Sequence, residues 1–394
     1  MKKKESAKKE GIDLFIAQII NAFVNNSYLL FGLLFSSTQI LGELFVFNSL
    51  YTLLVATIRF AYGGREYLLK SKEYIDSNYY LRMLSLYAIP GVILFLLLTS
   101  VLRVYDHYSL LILIGATSGL FYEILRIDLV NIRKIKYQLT ADVVMLLTNC
   151  IVISCLFFKI DFSYQSLLNA WCISNLSALL SGCFIARKKF RRVNRKVKHN
   201  RKVFSFFVLI PVLTSGVNYL INEIWRYFAG SDIIGFGRGF TLFFLPVNFI
   251  LNLFPLIYIK KQKIVIPVNY IFSLIYICII SGGAIGYIYY LNLNSSKDIL
   301  TSFVLITIDY VLISLNTRTM NLLILDGKID KVVSVRFVWG ISYLSLSFLC
   351  APLFHSTLMF AVLTLLCEVI VLFHYKFFHQ SRRKFLSLFA KNDI

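Results

Sequence analysis

Arg187–Lys202 reads RKKFRRVNRKVKHNRK, ten basic residues in sixteen and none acidic. It is preceded by SLLNAWCISNLSALLSGCFIA (166–186) and followed by VFSFFVLIPVLTSGVNYLINEIWR (203–226). Each flank is an apolar run of about 20 residues, the length a helix needs to cross a ~30 Å hydrocarbon core. Lys and Arg accumulate in the cytoplasmic loops of membrane proteins, so the basic run reads as a cytoplasmic connector between two spans. It falls at the midpoint of a 394-residue chain and divides it into two halves of equal size.

Working outward in both directions, apolar runs recur at 12–35, 40–61, 83–101, 108–126, 139–158, 166–186, 203–226, 233–258, 264–290, 299–317, 332–353 and 356–375. One alternate set of connectors, with the two termini, holds 34 of the 41 basic residues. The other set holds Arg103, Lys159 and Lys297, and four arginines fall inside runs. Adding or omitting a span would scramble this alternation. The expected fold class is therefore all-α, a polytopic membrane protein with twelve transmembrane helices and both termini cytoplasmic. The expected organisation is an N-terminal six-helix lobe over 1–186, a basic linker over 187–202, and a C-terminal six-helix lobe over 203–394 with a short cytoplasmic tail. The Lys-rich start, Lys2 to Lys9, is read as the flank of a retained first helix. The apolar run after it is long, is broken by Asn21, Asn25 and Asn26, and lacks a small-residue cleavage site.

Composition supports the same class and excludes others. Hydrophobic residues make up 58% and charged residues 15%, with a mean hydropathy of +0.72. A soluble domain of this size needs far more charged surface. The net charge of +21 is interleaved with apolar runs, so the partner expected for it is anionic membrane lipid, and no nucleic acid. The seven cysteines lie in apolar stretches without a C-x-x-C, and the five histidines lack metal spacing. No G-x-x-x-x-G-K-[ST] occurs, so no cofactor and no directly bound ATP is expected.

The halves resemble each other at an offset of 192–193, where Asn25 meets Asn218, Gly42 meets Gly235, Arg126 meets Arg318 and Lys136 meets Lys328. Six spans per half start both halves on the same face. That implies a parallel repeat about an axis along the membrane normal, with a path between the lobes.

Polar residues within spans are costly and face a bundle interior or a watery cavity. In the first span Gln18, Asn21 and Asn25 share a face, in the second Asn48, Thr52 and Arg59, and in the seventh Asn218, Asn222 and Arg226, with Glu223 alongside. Arg238 and Asn252 fall on one side of the eighth. Asn25, Asn48, Arg59, Asn218, Asn222, Arg226, Arg238 and Asn252 are thus the candidate cavity residues. Amide and guanidinium groups together suit a hydrated, hydroxyl-rich anion. The structural alternative is that Asn and Thr tie helices together, that Arg226 pairs with Glu223 and Arg238 with Asp232, and that Arg126 and Arg318 snorkel at span ends. Asp309 and Glu368, deep in the tenth and twelfth spans, could carry protons for coupling or pair structurally. The glycines of Gly235-Phe236-Gly237-Arg238-Gly239 follow no strand, so they read as close packing or a hinge and not as a nucleotide loop.

Three stretches resemble the Wzx-type polysaccharide flippases of the multidrug/oligosaccharidyl-lipid/polysaccharide superfamily. They are Leu41-Gly42-Glu43-Leu44-Phe45 through Arg59 and Arg65-Glu66; Tyr122-Glu123-Ile124-Leu125-Arg126 with Arg133-Lys134-Ile135-Lys136; and Asp232-Ile233-Ile234-Gly235 with Phe243-Phe244-Leu245-Pro246. The resemblance implies translocation of an undecaprenyl-pyrophosphate-linked oligosaccharide across the bacterial inner membrane by alternating access. It implies partners among the other polysaccharide assembly proteins, in O-antigen or lipopolysaccharide synthesis. Two other classes compete. A cation-coupled multidrug exporter shares the layout but favours carboxylates deep in a lobe. A membrane-embedded polymerase or ligase would need a large external loop, whereas the connectors here on the sparsely basic side have about ten residues or fewer.

Overall fold

The structure, a computed structural model, describes residues 2–58, 75–76, 110–131, 134–191, 209–248, 250, 268–292, 296–325 and 329–389. The expected third span, 83–101, lies outside the described residues, as do most of the linker and the end of the eighth span after Ile250. Every other expected span has its helix. In the first half these are α1 (Lys2–Phe35), α2 (Thr38–Ile58), α3 (Leu110–Asn131), α4 (Ile135–Lys159) and α5 (Tyr164–Ala186). In the second half they are α6 (Val217–Ala229), α7 (Ser231–Gly239), α8 (Val268–Asn292), α9 (Lys297–Leu325), α10 (Ile329–Cys350) and α11 (Thr357–Phe389). Eight of these helices contain a stretch long and apolar enough to cross a membrane.

Two helices differ from the continuous spans expected. The chain enters α6 through a π-helical turn, Val212–Gly216, following Pro211. It leaves α7 through a 3-10 turn, Phe240–Phe244. Proline has no N–H to give the helical ladder, and glycine lowers the cost of irregular backbone, so both breaks sit where the sequence permits them. The resulting pieces, α6 and α7, meet at Gly230, whose φ of +99° puts it where a side chain would strain the backbone.

The turns expected on the sparsely basic side gather at one end of the bundle. Phe35, at the end of α1, lies 4.9 Å from Phe157 of α4 and 4.9 Å from Phe162 in the α4–α5 turn. The Tyr289 hydroxyl of α8 donates to the Leu33 carbonyl at 3.0 Å. Phe228 of α6 and Phe348 of α10 are edge to face at 6.0 Å. Chain elements from the basic side meet as well. β1 (Ile75–Asp76) and β2 (Phe190–Arg191) form a two-residue parallel pair between the second-to-third-span connector and the start of the linker.

Within the first half, α5 packs on α3 and α4, and α1 packs on α4. Within the second, α9 and α10 pack on α11, and α8 on α9. The halves meet where α2 crosses α7. Glycine makes that crossing close. A Cβ on Gly42 would collide with the Ser231 carbonyl, and one on Gly235 with the Thr38 carbonyl. With an offset of 193, Gly42 corresponds to Gly235 and Thr38 to Ser231. The two contacts are therefore the same contact made twice, as in an interface between symmetry-related parts.

Candidate functional site

The amide stripes do not share one environment. In the N-terminal lobe they are enclosed by aromatic rings. Trp171 donates its indole N–H to the Asn25 side-chain oxygen at 3.3 Å, and Tyr28 donates its hydroxyl to that of Asn48 at 2.9 Å. Tyr28, Phe47, Tyr51 and Trp171 pack as one cluster, with Trp171 4.6 Å from Tyr51 and 5.2 Å from Phe47. A buried indole or phenol needs an acceptor, and the asparagines supply it.

Nearer the basic end of this lobe lies a charged cluster around Arg126, a residue counted with the connectors in the expected topology. Arg126 is 3% exposed. It does not snorkel. Its guanidinium donates to Glu123 at 2.8 Å, to Asn21 at 3.0 Å and to Gln18 at 3.1 Å, and lies 3.7 Å from Asp142. Asp142 in turn accepts from Tyr122 at 2.7 Å and from Gln138 at 3.5 Å. Helices α1, α3 and α4 are thus tied by one network. Its spacing was present in the sequence as Glu123/Arg126 and Gln138/Asp142, but proximity to span ends masked it.

In the C-terminal lobe the amides hold a guanidinium. Arg238 donates from Nε to the Asn222 side-chain oxygen at 3.1 Å and from Nη2 to that of Asn218 at 3.3 Å. Its guanidinium carbon sits 5.1 Å from the centroid of the Phe360 ring. The Arg238–Asp232 pair of the structural alternative does not form; Asp232 instead accepts a hydrogen bond from Thr38 of the other lobe. Arg226 does pair with Glu223, at 2.8 Å, and reaches Glu43 of α2 at 4.0 Å. Arg59 and Asn252 lie outside the described residues, and so does the side chain of Arg318.

Asp309 of α9 is buried, and its Oδ1 lacks a hydrogen-bond partner among the described residues. The charged groups facing it are Glu368 and Arg238. Glu368 accepts from Asn316 and faces Arg336, whose guanidinium stands 5.6 Å from the Trp339 ring. Two carboxylates and two guanidiniums thus occupy the interior between α7, α9, α10 and α11. The hydroxyls of Tyr343 and Ser347 on α10 are buried there without a partner among the described residues. Buried polar atoms left unpaired cost free energy unless water or a ligand completes them. The glycines of the Gly235–Gly239 stretch all sit at packing contacts: with Thr38, with Phe360, and with Leu33 and Leu41. Among the described residues no group of His, Cys, Asp and Glu could hold a metal ion.

No protein-family model matches the sequence, and no curated protein does. Solved structures do match over the whole length. The crystal structure of MATE in the bent conformation is 12% identical, covering 97% of this chain and 96% of that one, at a TM-score of 0.58. An outward-facing multidrug resistance MATE family transporter of the MOP superfamily is 12% identical over 96% and 97%, at 0.57. A MOP superfamily transporter from Pyrococcus furiosus, in a structure whose reverse pocket polarity is said to suggest a different function, is 13% identical over 93% and 94%, at 0.55.

The chain shares its fold with these solved structures. At these identities the likeness concerns the fold. It bears out the expected class, with its twelve helices in two parallel six-helix lobes. In this chain α2 and α7 stand at corresponding places in the two halves, which gives the reciprocal Gly42 and Gly235 contacts their symmetry.

Proposed function

We propose that this chain is a membrane transporter that carries an anionic, hydroxyl-rich lipid-linked oligosaccharide between leaflets, as a Wzx-type flippase does. The observation that carries this reading is Arg238. Its guanidinium is held in place by Asn218 and Asn222, stands over Phe360, and is half-buried inside the second lobe, with no carboxylate bonded to it among the described residues. A guanidinium oriented by neutral amides keeps its positive charge available to a phosphate, which needs such compensation in low dielectric. The substrate would be captured on the basic side, where the connectors and termini of the expected topology concentrate Lys and Arg at the inner leaflet.

Deleting the gene in the native host and locating the lipid-linked repeat unit tests the reading. Accumulation at the inner leaflet is expected, with restoration by the native chain. Arg238→Ala should fail to restore export although present in the membrane, and Arg238→Lys should restore it in part, since ammonium keeps the charge without the planar fork. Normal surface glycan with Arg238→Ala would remove Arg238 from the mechanism.

A second reading, cation-coupled export of small molecules, is favoured by the names of the MATE neighbours and by Asp309 and Glu368 buried in one lobe. It forecasts a different outcome for the same deletion. Sensitivity to lipophilic cations would rise, with glycan placement unchanged. Asp309→Asn would reproduce that sensitivity.

A further inference from the structure

We propose that Glu43 is the centre of a polar latch that closes the two lobes against each other at the end carrying the sparsely basic turns, the outer end in the expected topology. It rests on the transport reading only in requiring that the lobes part. Hydrogen bonds among the described residues join the lobes here: Thr38 to Asp232, Ser231 to Glu43, and Tyr289 to the Leu33 carbonyl. The ion pair of Arg226 with Glu43, at 4.0 Å, adds to them. They flank the crossing where Gly42 and Gly235 bring the backbones of α2 and α7 together.

The chemistry of this contact differs from that of the lobe interiors. Arg126 and Asp142 are 3% and 0% exposed, so parting them would leave bare charge in low dielectric. The side chains of Arg226 and Glu43 are 23% and 26% exposed, and Asp232 is exposed, so water can replace the partner each gives up. The charges are also arranged for separation. Arg226 is bonded to Glu223 three residues earlier on its own helix, and that pair travels with the second lobe. Opening therefore exchanges the Glu43 contacts for water without stranding the guanidinium. Glycine at 42 and 235 lets the two backbones close on each other between the polar contacts. The bonds at this end are exchangeable ones, as a gate needs, while farther along α2 the lobes also pack through α6 and the turn Val212–Gly216. The buried cluster of Arg126 is the opposite design and holds one lobe rigid.

The test uses the full chain in lipid nanodiscs, with spin-labelled non-natural side chains encoded at Phe158 of the first lobe and Leu353 of the second. Both positions are exposed near the latched end. Pulsed dipolar spectroscopy of the otherwise native chain should give mainly a short distance. Glu43→Gln combined with Ser231→Ala should raise the ratio of long to short distances roughly tenfold, the scale of one charge-assisted hydrogen bond. An unchanged distribution in that variant, or a mainly long distance in the native chain, overturns the latch. A second pair of substitutions, Thr38→Cys with Asp232→Cys, keeps Glu43 intact. Joining these thiols with a short reducible bis-methanethiosulfonate should hold the short distance alone and stop export until reductant is added. Export at the native rate by the linked protein would show that this end does not open in the cycle. Because the distance is read without any substrate, failure of the oligosaccharide reading leaves the latch standing, and an unmoved distance removes the latch whatever is exported.

Discussion

Arg126 shows what one side chain does inside this bundle. It bonds to α1 and α3 and lies beside α4, and the carboxylates of Glu123 and Asp142 share its charge. Replacing it with Met keeps volume but leaves two buried carboxylates facing each other. Breaking a buried ion pair by removing one partner typically costs about 3–5 kcal/mol. Arg126→Met is expected to lower the thermal midpoint sharply in detergent, read by intrinsic fluorescence of the purified protein. Adding Glu123→Gln and Asp142→Asn should recover much of the loss, because the neutral set strands no charge. A native midpoint for Arg126→Met alone would show that the cluster does not hold the lobe. At the surface the same chemistry is mild. Asp161, in the α4–α5 turn, accepts from the Ser166 hydroxyl and the Ser163 backbone N–H, which hold its carboxyl below the usual range. Its contribution is present above the ordinary carboxylate pKa and fades as pH falls through the lowered one.

At the scale of elements, the α2–α7 crossing depends on two missing side chains. Gly235→Ala or Gly42→Ala must push a backbone carbonyl of the facing helix away. Overpacking of this kind costs about 1–3 kcal/mol. Gly283 in α8 is a control, since its Cβ would meet only the Thr307 methyl at 3.6 Å, an ordinary contact. Gly283→Ala is therefore expected to be neutral or slightly stabilising in a helix interior. Comparing melting of the three variants in one detergent checks this. Equal melting of all three would mean the crossing has slack that the backbone distances do not show. The helix breaks at Val212–Gly216 and Phe240–Phe244 were only partly legible in sequence. Pro211 and the glycines marked where irregular backbone was cheap. The sequence could not say whether the chain would bend there, because apolar periodicity continues through both.

At the scale of the whole molecule, Phe35, the turn after Lys159 and Tyr289 near the end of α8 belong to one end of the bundle. Reporter fusions after Lys159 and Lys297 are expected to read external, and fusions within Arg187–Lys202 cytoplasmic. A cytoplasmic signal at Lys159 would break the alternation on which the twelve helices were counted. Transport in sealed vesicles is expected to persist when ATP is removed and ion gradients are held, since no nucleotide-binding motif occurs in the chain. Transport that stops on ATP removal alone would contradict this.

The number of helices, their order and their alternation were determined by sequence alone, because the cost of exposing polar backbone in hydrocarbon forces each long apolar run into a helix. The cluster of basic residues on alternate connectors then ordered the ends. The polar interior was half legible. Sequence placed Asn25, Asn48, Asn218 and Asn222 on inward stripes but could not say what they face. Packing gave the first two to Tyr28 and Trp171 and the last two to Arg238. A snorkelling Arg126 and an Arg238–Asp232 pair stood among the alternatives for the same reason, and neither forms. A charge near a span end can snorkel, pair along its helix or cross to another. Those outcomes differ by the position of residues more than a hundred places away, such as Asn21 for Arg126 and Thr38 for Asp232. Only the tertiary structure brings those partners within bonding distance, and so only it decided that one charge locks a lobe and the other helps to close the molecule.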